Sequence, residues 1–329
     1  NAFRIPALRE ISPRGGEPVL SPAPREFRKF VTIMQGCNNY CSYCVVPYTR
    51  GRETSRPVAD IIEEVKLLTA RGICDITLLG QNVNSYGQTN PVADLPATFA
   101  DLLRLVAVAP GLKRLRFTTS NPKDLTDDLM HCFADIPNLC PHFHLPAQSG
   151  SDRVLAAMNR RYTVSDYLDR IAALRRYRPD LALSTDIIVG FPGETDEDFD
   201  RTMDLLETVR FHGSFSFKYS DRPGTRSAAF DNKVSERVKS ERLLRFQRRQ
   251  DEICLERNTE KIDKILDVMI EGEGRNGLLQ GRSLYNHIVH FPAAVGVKLQ
   301  PGDVVRVRIH KAGQHSLTGT TLREGERHD

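Results

Sequence analysis

Between residues 30 and 219 the chain alternates short apolar runs with longer stretches of helical periodicity, and this alternation restricts the possible folds more than any other feature. The apolar runs are predicted to be strands, at residues 30–35, 75–80, 112–118, 142–148, 181–190 and 214–219. The intervening stretches are predicted to be helices, at residues 57–71, 98–108, 125–134, 165–176 and 195–209. This order predicts an α/β fold with a parallel sheet and right-handed crossovers. Six units are too few for the usual eight-fold closure, so we expect an open, partial (βα)6 barrel.

The texture of the chain changes after a charged helical stretch at residues 235–256. Short alternating runs follow, at residues 265–271, 277–283, 287–291, 303–309 and 316–320, separated by Gly, Pro and Asn. This pattern predicts a small antiparallel β-barrel of about five strands. We therefore expect a core domain at residues 29–256, a terminal barrel at 257–323 and a short tail at 324–329. Residues 1–28 are rich in proline and are expected to be a linker from a preceding N-terminal domain that the chain lacks.

Charge and apolar content exclude several classes of protein. The net charge is only +4, which by itself gives weak support for a polyanionic partner. No apolar run approaches the roughly 20 residues needed to cross a bilayer, and no signal peptide pattern is present. We therefore expect a cytoplasmic protein that does not associate with a membrane, and we expect it to be a monomer.

Three of the seven cysteines, Cys37, Cys41 and Cys44, lie close together directly after the first predicted strand. An odd number of cysteines with one dense group argues against a disulfide framework and for a thiolate metal site in a reducing compartment. In α/β folds the carboxyl ends of the strands carry the active site. Three thiolates on one loop can hold a [4Fe–4S] cluster and leave one iron open for a ligand. The alternative is zinc, but structural zinc needs four ligands, and Cys74 lies at the opposite end of the second strand.

The spacing Cys-x3-Cys-x2-Cys, with Tyr43 before the last cysteine, resembles the defining loop of the radical SAM family. The resemblance implies two cofactors, a [4Fe–4S] cluster and S-adenosyl-L-methionine. In that family the open iron chelates the amino and carboxylate groups of S-adenosylmethionine. An electron from a reducing donor then cleaves it to a 5′-deoxyadenosyl radical, so that the cofactors perform the hard chemistry and the protein positions them. No catalytic side chain is assigned on this basis.

The resemblance also implies which side chains at the strand ends contact S-adenosylmethionine. Arg160 is expected to pair with the methionine carboxylate, Asp186 to accept from the ribose, and the Gly80 turn to face the ammonium group. The alternative for each is a helix cap or a loop anchor, and Arg160 is alternatively a solvated arginine, with Arg161 in its place. The expected cofactor-binding residues are Tyr43, Gly80, Gln81, Asn82, Ser120, Gln148, Arg160, Asp186 and Ile188.

Longer motifs across residues 30–323 resemble the tRNA methylthiotransferases of the MiaB type. The motifs are Gly-Gln-Asn-Val-Asn-Ser-Tyr at 80–86, Ser-Asn-Pro at 120–122, His-Leu-Pro-Ala-Gln-Ser-Gly-Ser at 144–151, Gly-Phe-Pro-Gly-Glu-Thr at 190–195 and Arg-Pro-Gly-Thr at 222–225. The resemblance implies methylthiolation at C2 of isopentenylated adenosine at position 37 of tRNA, with a second S-adenosylmethionine as methyl donor. Two alternatives stay open: a relative that acts on threonylcarbamoyl-adenosine, and a non-catalytic, cluster-bearing RNA-binding protein.

Members of this family have an N-terminal domain in which three further cysteines hold an auxiliary cluster, the site of sulfur activation. The spacing of Cys74, Cys132, Cys140 and Cys254 does not match that set. We therefore expect a second [4Fe–4S] cluster in the complete protein but not in this chain, which needs a sulfur donor for the insertion step.

The terminal barrel resembles TRAM, a five-stranded RNA-binding domain of the same family. The resemblance makes tRNA a partner, and the expected RNA-binding residues are Arg282, Arg306, Arg308 and Lys311. Alternation along a strand puts Arg306 and Arg308 on one face, where they can track phosphates. The alternative is a solvated strand face. Four arginines of the preceding helix either extend this surface or are merely solvated: Arg242, Arg245, Arg248 and Arg249.

Overall fold

The computed structural model describes residues 26–89, 98–293 and 299–322. Most of the predicted linker and the predicted tail at 324–329 lie outside these residues. The linker prediction is wrong at its end, because Arg28 is already the first residue of a strand. Phe27, just before it, is buried between the two domains.

The core domain contains the six predicted strand–helix units. Its strands are β1 (Arg28–Thr32), β2 (Met34–Gln35), β3 (Thr54–Ser55), β4 (Asp75–Leu79), β5 (Arg114–Thr118), β6 (His142–His144), β7 (Ala182–Val189) and β8 (Gly213–Lys218). Its helices are α1 (Val46–Arg50), α2 (Val58–Ala70), α3 (Phe99–Ala107), α4 (Asp127–Asp135), α5 (Asp152–Ala157), α6 (Val164–Tyr177), α7 (Asp196–Val209) and α8 (Glu236–Thr259). The short helices α1 and α5 were not predicted. None of the helices in the described part of the chain is both long and apolar enough to cross a bilayer.

Six strands form an open, partial barrel, as predicted. These barrel strands are β1, β4, β5, β6, β7 and β8. They pair in parallel in the order β1-β4-β5 and β6-β7-β8, and a parallel bridge between Leu115 and Leu139 continues the first sheet toward β6. The end strands of this arrangement are β1 and β8. Alternate side chains, such as Val31 and Phe143, are fully buried beneath the helices. The opposite face of each strand therefore lines the interior of the barrel.

Two predicted strands are shorter than expected, for different reasons. The predicted strand at 142–148 ends at His144, because Pro146 has no N–H to continue the ladder. The predicted strand at 30–35 is divided, and Met34–Gln35 turns away to pair with Thr54–Ser55. The chain thus leaves the sheet just before the cysteine loop.

Local capping explains where three of the long helices begin. Thr98, Thr163 and Thr195 each accept a hydrogen bond from the backbone N–H three residues later, where an aspartate returns the bond. This reciprocal pair satisfies donors that a helix leaves free at its first turn. Thr195 and Asp198, at the start of α7, are one of the three pairs.

The terminal barrel has five strands and closes on itself. They are β9 (Ile265–Glu273), β10 (Leu279–Ser283), β11 (Ile288–Phe291), β12 (Val304–Ala312) and β13 (Leu317–Thr321). The order around the barrel is β10-β11-β13-β12-β9. The prediction of a fully antiparallel barrel is wrong for one pair, because β11 and β13 run parallel. An odd number of strands cannot alternate direction all the way around a closed ring, so one pair must be parallel.

The terminal barrel packs against the amino ends of β4 and β5. Arg114, which is buried, donates from Nη1 to the carbonyl of Arg282 at 2.6 Å and from Nη2 to the carbonyl of Asp267 at 3.1 Å. Arg28 lies between Asp75 of the core and Glu271 of the barrel, at 3.0 and 2.7 Å. The predicted boundary at residue 257 falls in the last turn of α8, which ends at Thr259.

The packing of Arg114 generates a stability prediction. Arg114→Met leaves two carbonyl oxygens at the partly buried interface without this donor and removes a buried side chain, so we expect a loss of about 2–4 kcal/mol of unfolding free energy. Chemical denaturation measures the loss, and limited proteolysis near residue 260 measures detachment of the barrel. Arg104→Met, which breaks an exposed pair with Asp128, is the control and should cost less than about 1 kcal/mol. Equal effects of the two substitutions would contradict the role of Arg114.

Candidate active site

The cysteine loop occupies residues 36–44, at the carboxyl end of the sheet. Gly36 opens it with a φ of 79°, and a Cβ there would lie 2.2 Å from the carbonyl oxygen of Arg52, so only glycine fits. The three cysteines that follow, Cys37, Cys41 and Cys44, are all partly exposed. They can therefore be reached by a ligand from the open end of the barrel.

The thiols are poised for a metal that deprotonates them. Burial raises the pKa of Cys37 and of Cys44, so without a metal both thiols are protonated at neutral pH. Asn39 donates to the sulfur of Cys37 at 3.3 Å, and Arg160 donates to that of Cys41 at 3.4 Å. Both donors stabilise thiolate over thiol.

The geometry does not favour the zinc alternative. Among the described residues, no three His, Cys, Asp or Glu side chains, the loop cysteines included, form a ready-made site for one metal ion. Cys74 lies at the amino end of the sheet, where its thiol is 3.8 Å from the carbonyl oxygen of Gly302 in the terminal barrel. The charges of Cys41 and Cys37 help to raise the pKa of Cys44, so the three loop thiols lie in one another's surroundings, as three ligands of one cluster must.

Three side chains hold the shape of the cysteine loop, and the sequence analysis missed two of them. Asn159, just after α5, donates from Nδ2 to the carbonyls of Asn39 at 3.3 Å and Tyr40 at 3.0 Å. Ser42 donates from Oγ to the carbonyl of Ala157 at 2.8 Å. Gln81 accepts from the N–H of Gly36 at 2.7 Å and so supports the loop, while its role as a cofactor ligand stays a prediction. Asn159 has a φ of 59°, which asparagine tolerates, but the sequence analysis did not predict α5 and so gave no signal for this residue.

Gly80 and Asn82 lie at the end of β4, as predicted, but most of their polar groups are already bonded. The N–H of Gly80 donates to Thr118, and a Cβ there would lie 2.4 Å from Cγ of Met34, so close packing demands the glycine. Asn82 donates from Nδ2 to Asp124 at 2.7 Å. Only its Oδ1 is left to accept a further bond.

Buried polar atoms without partners concentrate beside these residues. Four such atoms follow β4 and β5: Asn82 Oδ1, Asn84 Oδ1, Thr119 Oγ1 and Ser120 Oγ have no hydrogen-bond partner among the described residues. Each buried atom left unpaired costs about 1–3 kcal/mol, so a ligand that supplies donors is strongly favoured there. Amide and hydroxyl oxygens can accept from an ammonium group, so these four acceptors fit the amino end of S-adenosylmethionine.

The ends of β6 and β7 bring Gln148, Asp186 and Ile188 together, as the resemblance implied. Gln148, with a φ of 71°, donates its N–H to the carbonyl of Asp186 and accepts from the N–H of Ile188. The Asp186 carboxylate faces the barrel interior, 3.4 Å from Nε2 of His144. Ile188 and Tyr43 pack on the same apolar cluster around Phe191, so the cysteine loop and β7 share a wall.

Arg160 is buried beside the cysteine loop, which excludes the alternative of a solvated arginine. Besides its contact with Cys41, it donates from Nε to the Tyr162 hydroxyl at 2.9 Å and from Nη2 to the carbonyl of Pro146 at 3.1 Å. Burial alone would lower its pKa, but Tyr162 and the other neighbouring groups raise the pKa well above the usual value. The guanidinium stays charged, whereas Arg161 points to solvent.

The predicted RNA-binding residues do not all lie together. Arg306, Arg308 and Lys311 are exposed on β12, while the alternate residues Val307 and Ile309 are buried in the barrel. We call these three exposed side chains the basic stripe. Arg282 is not part of it, because its Nε donates to Glu271 at 3.0 Å at the interface with the core domain.

Three of the four α8 arginines are ion-paired within the core domain. Arg242 is buried and pairs with Glu194 and Asp196, each at 2.7 Å, so it neither extends an RNA surface nor lies on a solvated face. Arg245 pairs with Asp200, and Arg249 pairs with Glu207. The pattern of the sequence did not reveal these partners because they lie on a different helix, α7, or in the turn before it.

Two family profiles match the chain. Residues 31–206 match the radical SAM superfamily, and residues 261–322 match the TRAM domain. The first match contains the cysteine loop and the ends of β4 to β7. The second coincides with the terminal barrel.

Sequence relatives carry one name. The tRNA-2-methylthio-N(6)-dimethylallyladenosine synthase of Desulfotalea psychrophila is 63% identical over 91% of this chain and 67% of its own length. Synthases of the same name from Syntrophobacter fumaroxidans and Syntrophus aciditrophicus are each 50% identical, over 89% and 92% of this chain. These alignments cover 63% and 65% of those two proteins, so the chain spans about two thirds of the length of its curated relatives.

Solved structures share the fold at low identity. Coproporphyrinogen III oxidase from Escherichia coli, a radical SAM enzyme, superposes with a TM-score of 0.52 at 13% identity, over 92% of this chain and 74% of that one. The radical S-adenosylmethionine methyltransferase TsrM from Kitasatospora setae superposes with a TM-score of 0.51 at 21% identity, over 62% and 38%. These likenesses concern the fold alone.

The loop support by Asn159 generates a prediction. Asn159→Asp keeps the shape and tolerates positive φ, but it replaces the donor to two carbonyls by an acceptor. We expect about a two- to tenfold loss of iron and sulfide retained after anaerobic reconstitution, and faster bleaching in air. Asn138→Asp is the matched control, since Asn138 also donates to two backbone carbonyls, those of Ala107 and Leu112, far from the loop. The role of Asn159 is disproved if both variants retain iron equally.

Proposed function

The chain belongs to the radical SAM superfamily, in the family of the tRNA-2-methylthio-N(6)-dimethylallyladenosine synthases, and we propose that it catalyses radical methylthiolation of tRNA. The proposed substrate carbon is C2 of isopentenylated adenosine at position 37. The observation that carries the proposal is the position of Arg160, a buried cation 3.4 Å from the sulfur of Cys41. A buried charge needs an anionic partner, and a ligand carboxylate beside the cluster corner supplies one.

The described residues offer complementary groups for each part of S-adenosylmethionine. Asn82, Asn84 and Ser120 hold the unpaired oxygens that suit the ammonium group. Arg160 suits the carboxylate, and Asp186 accepts from the ribose hydroxyls. Ile188 and Tyr43 contribute an apolar wall against which the adenine packs. When bound at Cys37, Cys41 and Cys44, the reduced cluster supplies one-electron cleavage of the sulfonium and hence hydrogen abstraction.

Sulfur insertion requires components besides the three loop thiols. We propose that a reducing donor supplies the electron and that a second [4Fe–4S] cluster supplies the sulfur. The other four cysteines are all buried and lie in different parts of the fold, so they do not suit this second cluster: Cys74 just before β4, Cys132 in α4, Cys140 just before β6 and Cys254 in α8. We assign it to the third of the relatives' length that this chain does not match.

The proposed RNA partner contacts the basic stripe of Arg306, Arg308 and Lys311. These side chains are exposed and have no resolved ion-pair partner in the described part of the chain, which leaves them available for phosphates. The match to the TRAM domain supports this assignment. A tRNA substrate and seven cysteines without a disulfide also suit the reducing cytoplasm, which is the compartment we propose.

The threonylcarbamoyl alternative receives less support. The relatives at 50–63% identity share a name that specifies dimethylallyladenosine. The non-catalytic alternative gives no reason for the unpaired polar atoms that follow β4 and β5. Each alternative predicts a different outcome of the experiment below.

The decisive experiment follows hydrogen transfer. We expect the reconstituted, reduced chain to convert S-adenosylmethionine into 5′-deoxyadenosine. With an anticodon stem–loop RNA deuterated at C2 of its isopentenylated adenosine, we expect deuterium in that product. Cys41→Ser removes one corner ligand and should leave less than about one hundredth of the wild-type rate. Mass spectrometry of the nucleosides measures both the amount of 5′-deoxyadenosine and its deuterium content.

Cys254→Ala is the control, because this cysteine lies on α8 and away from the loop; it should keep the wild-type rate. A loaded cluster that forms no 5′-deoxyadenosine would support the non-catalytic alternative. Deuterium transfer only from the threonylcarbamoyl RNA would support the other relative. Either result would refute the proposal.

The basic stripe generates a prediction about salt. Replacing Arg306 and Arg308 by Ala removes two phosphate contacts, so we expect about tenfold weaker RNA binding and a log K versus log salt slope reduced by about 1.5–2. Fluorescence anisotropy at several salt concentrations measures both. Arg201→Ala with Arg237→Ala is the control, since both are exposed but paired with Glu197 and Glu241. A control that weakens binding equally would mean that only net charge matters.

A further inference from the structure

The interior of the open barrel contains a cavity of about 360 Å³. All six barrel strands of the core domain line it, and the terminal barrel closes its far end with Arg282 and Asn286. One lining residue from each strand, in sheet order, gives Phe30, Thr77, Thr118, His144, Ser184 and Phe215. The cavity therefore lies on the axis of the barrel, below the strand ends that carry the proposed cofactor site.

Phe30 and Phe215 are unusual in this lining. They lie on the end strands β1 and β8, and they are 62% and 63% exposed. The neighbouring Val31 and the residues behind the sheet are fully buried, so the exposed rings are not needed for the core. Two large apolar side chains at the two lips of one opening indicate a ligand that covers them.

Phe215 lies next to the proposed ribose contact. In the parallel pairing of β7 and β8, Phe215 is the register partner of Asp186. His144 contacts both residues. Its Nε2 is 3.4 Å from the Asp186 carboxylate, and its ring is edge-on to that of Phe215, with 6.0 Å between the ring centroids. Nδ1 of the same histidine is 3.0 Å from the Ser184 hydroxyl, which fixes the ring. A base held against Phe215 is thus adjacent to the cofactor.

The charges of the lining select an uncharged ligand. Arg28 pairs with Asp75 and Glu271, and Arg282 pairs with the same glutamate. Arg116 lies 3.8 Å from the Asp75 carboxylate and donates to carbonyls of the terminal barrel. Burial lowers the pKa of His142 to about 3, so this side chain is neutral at physiological pH.

We propose that Phe30 and Phe215 bind the alkylated adenine of the RNA and determine specificity for its apolar N6 substituent. This inference rests on the proposed function and adds a substrate-binding site to it. The rings stack on the base and cover the dimethylallyl group, whose carbons gain free energy by leaving water. A threonylcarbamoyl group in the same place brings a carboxylate near Asp186, and the arginines of the lining are already paired.

The test measures binding of three stem–loop RNAs that differ only at N6 of the adenosine: unmodified, dimethylallyl and threonylcarbamoyl. The chain is reconstituted with its cluster and S-adenosylmethionine without oxygen, and fluorescence anisotropy gives each dissociation constant. We expect the wild type to prefer the dimethylallyl RNA over the unmodified RNA by about tenfold or more. Phe215→Ser and Phe30→Ser should each reduce that ratio to within about threefold of one. Affinity for the unmodified RNA changes less.

Two further variants separate specificity from folding. Phe215→Leu keeps an apolar side chain and should keep most of the preference, even if the serine variant unfolds. Leu244→Ser removes a side chain that is 67% exposed on α8, outside the cavity, and should leave the ratio unchanged. The thermal unfolding midpoint of each variant shows whether it is folded.

The outcomes distinguish this inference from the proposed function. A wild type that forms no 5′-deoxyadenosine contradicts the proposed function. A wild type that forms it, but whose preference for the dimethylallyl RNA survives in both serine variants, overturns only the role of the two phenylalanines. A preference for the threonylcarbamoyl RNA, or loss of preference in Phe215→Leu equal to that in a folded Phe215→Ser, also overturns it.

Discussion

The structure depends on how the backbone of the cysteine loop is held, because this loop has no strand or helix of its own across its three thiols. Its polar groups are satisfied from two directions, by Gln81 after β4 and by the end of α5, where Asn159 donates to the loop and Ala157 accepts from Ser42. Both supports lie at the carboxyl end of the barrel. The parallel strands therefore determine the position of the thiols even though the thiols lie outside the sheet.

The number of strands explains why the barrel is open. With six strands, β1 and β8 remain end strands, and the interior keeps a cavity in place of a packed core. The helices bury the outer face, while the terminal barrel closes the amino end through Arg114 and Arg28. One end thus carries the proposed cofactor site, the other end is closed by the domain that matches TRAM, and the side opening is where we propose that a nucleobase binds.

Buried charge is used differently in the two halves of the site. Glu194 and Arg242 neutralise each other and fix the turn after β7, which is a structural use. Arg160 has only neutral carbonyl and hydroxyl partners besides the sulfur of Cys41. A cation that the fold leaves without a carboxylate points to a ligand, and the unpaired oxygens of Asn82 and Ser120 after β4 and β5 are a second indication of one.

The sequence alone determined the order of the strands and helices, the parallel core, the five-stranded terminal barrel and the position of the cysteine loop. These follow from periodicity and spacing, which are local properties of the chain. Tertiary structure alone decided that Gln81 supports the loop and that Phe30 and Phe215 face one cavity. It also decided that Arg282 forms an ion pair with Glu271, and Arg242 with Glu194. Each of these depends on a partner distant in the chain, and a side chain's role is fixed by the group it meets, which local pattern does not encode.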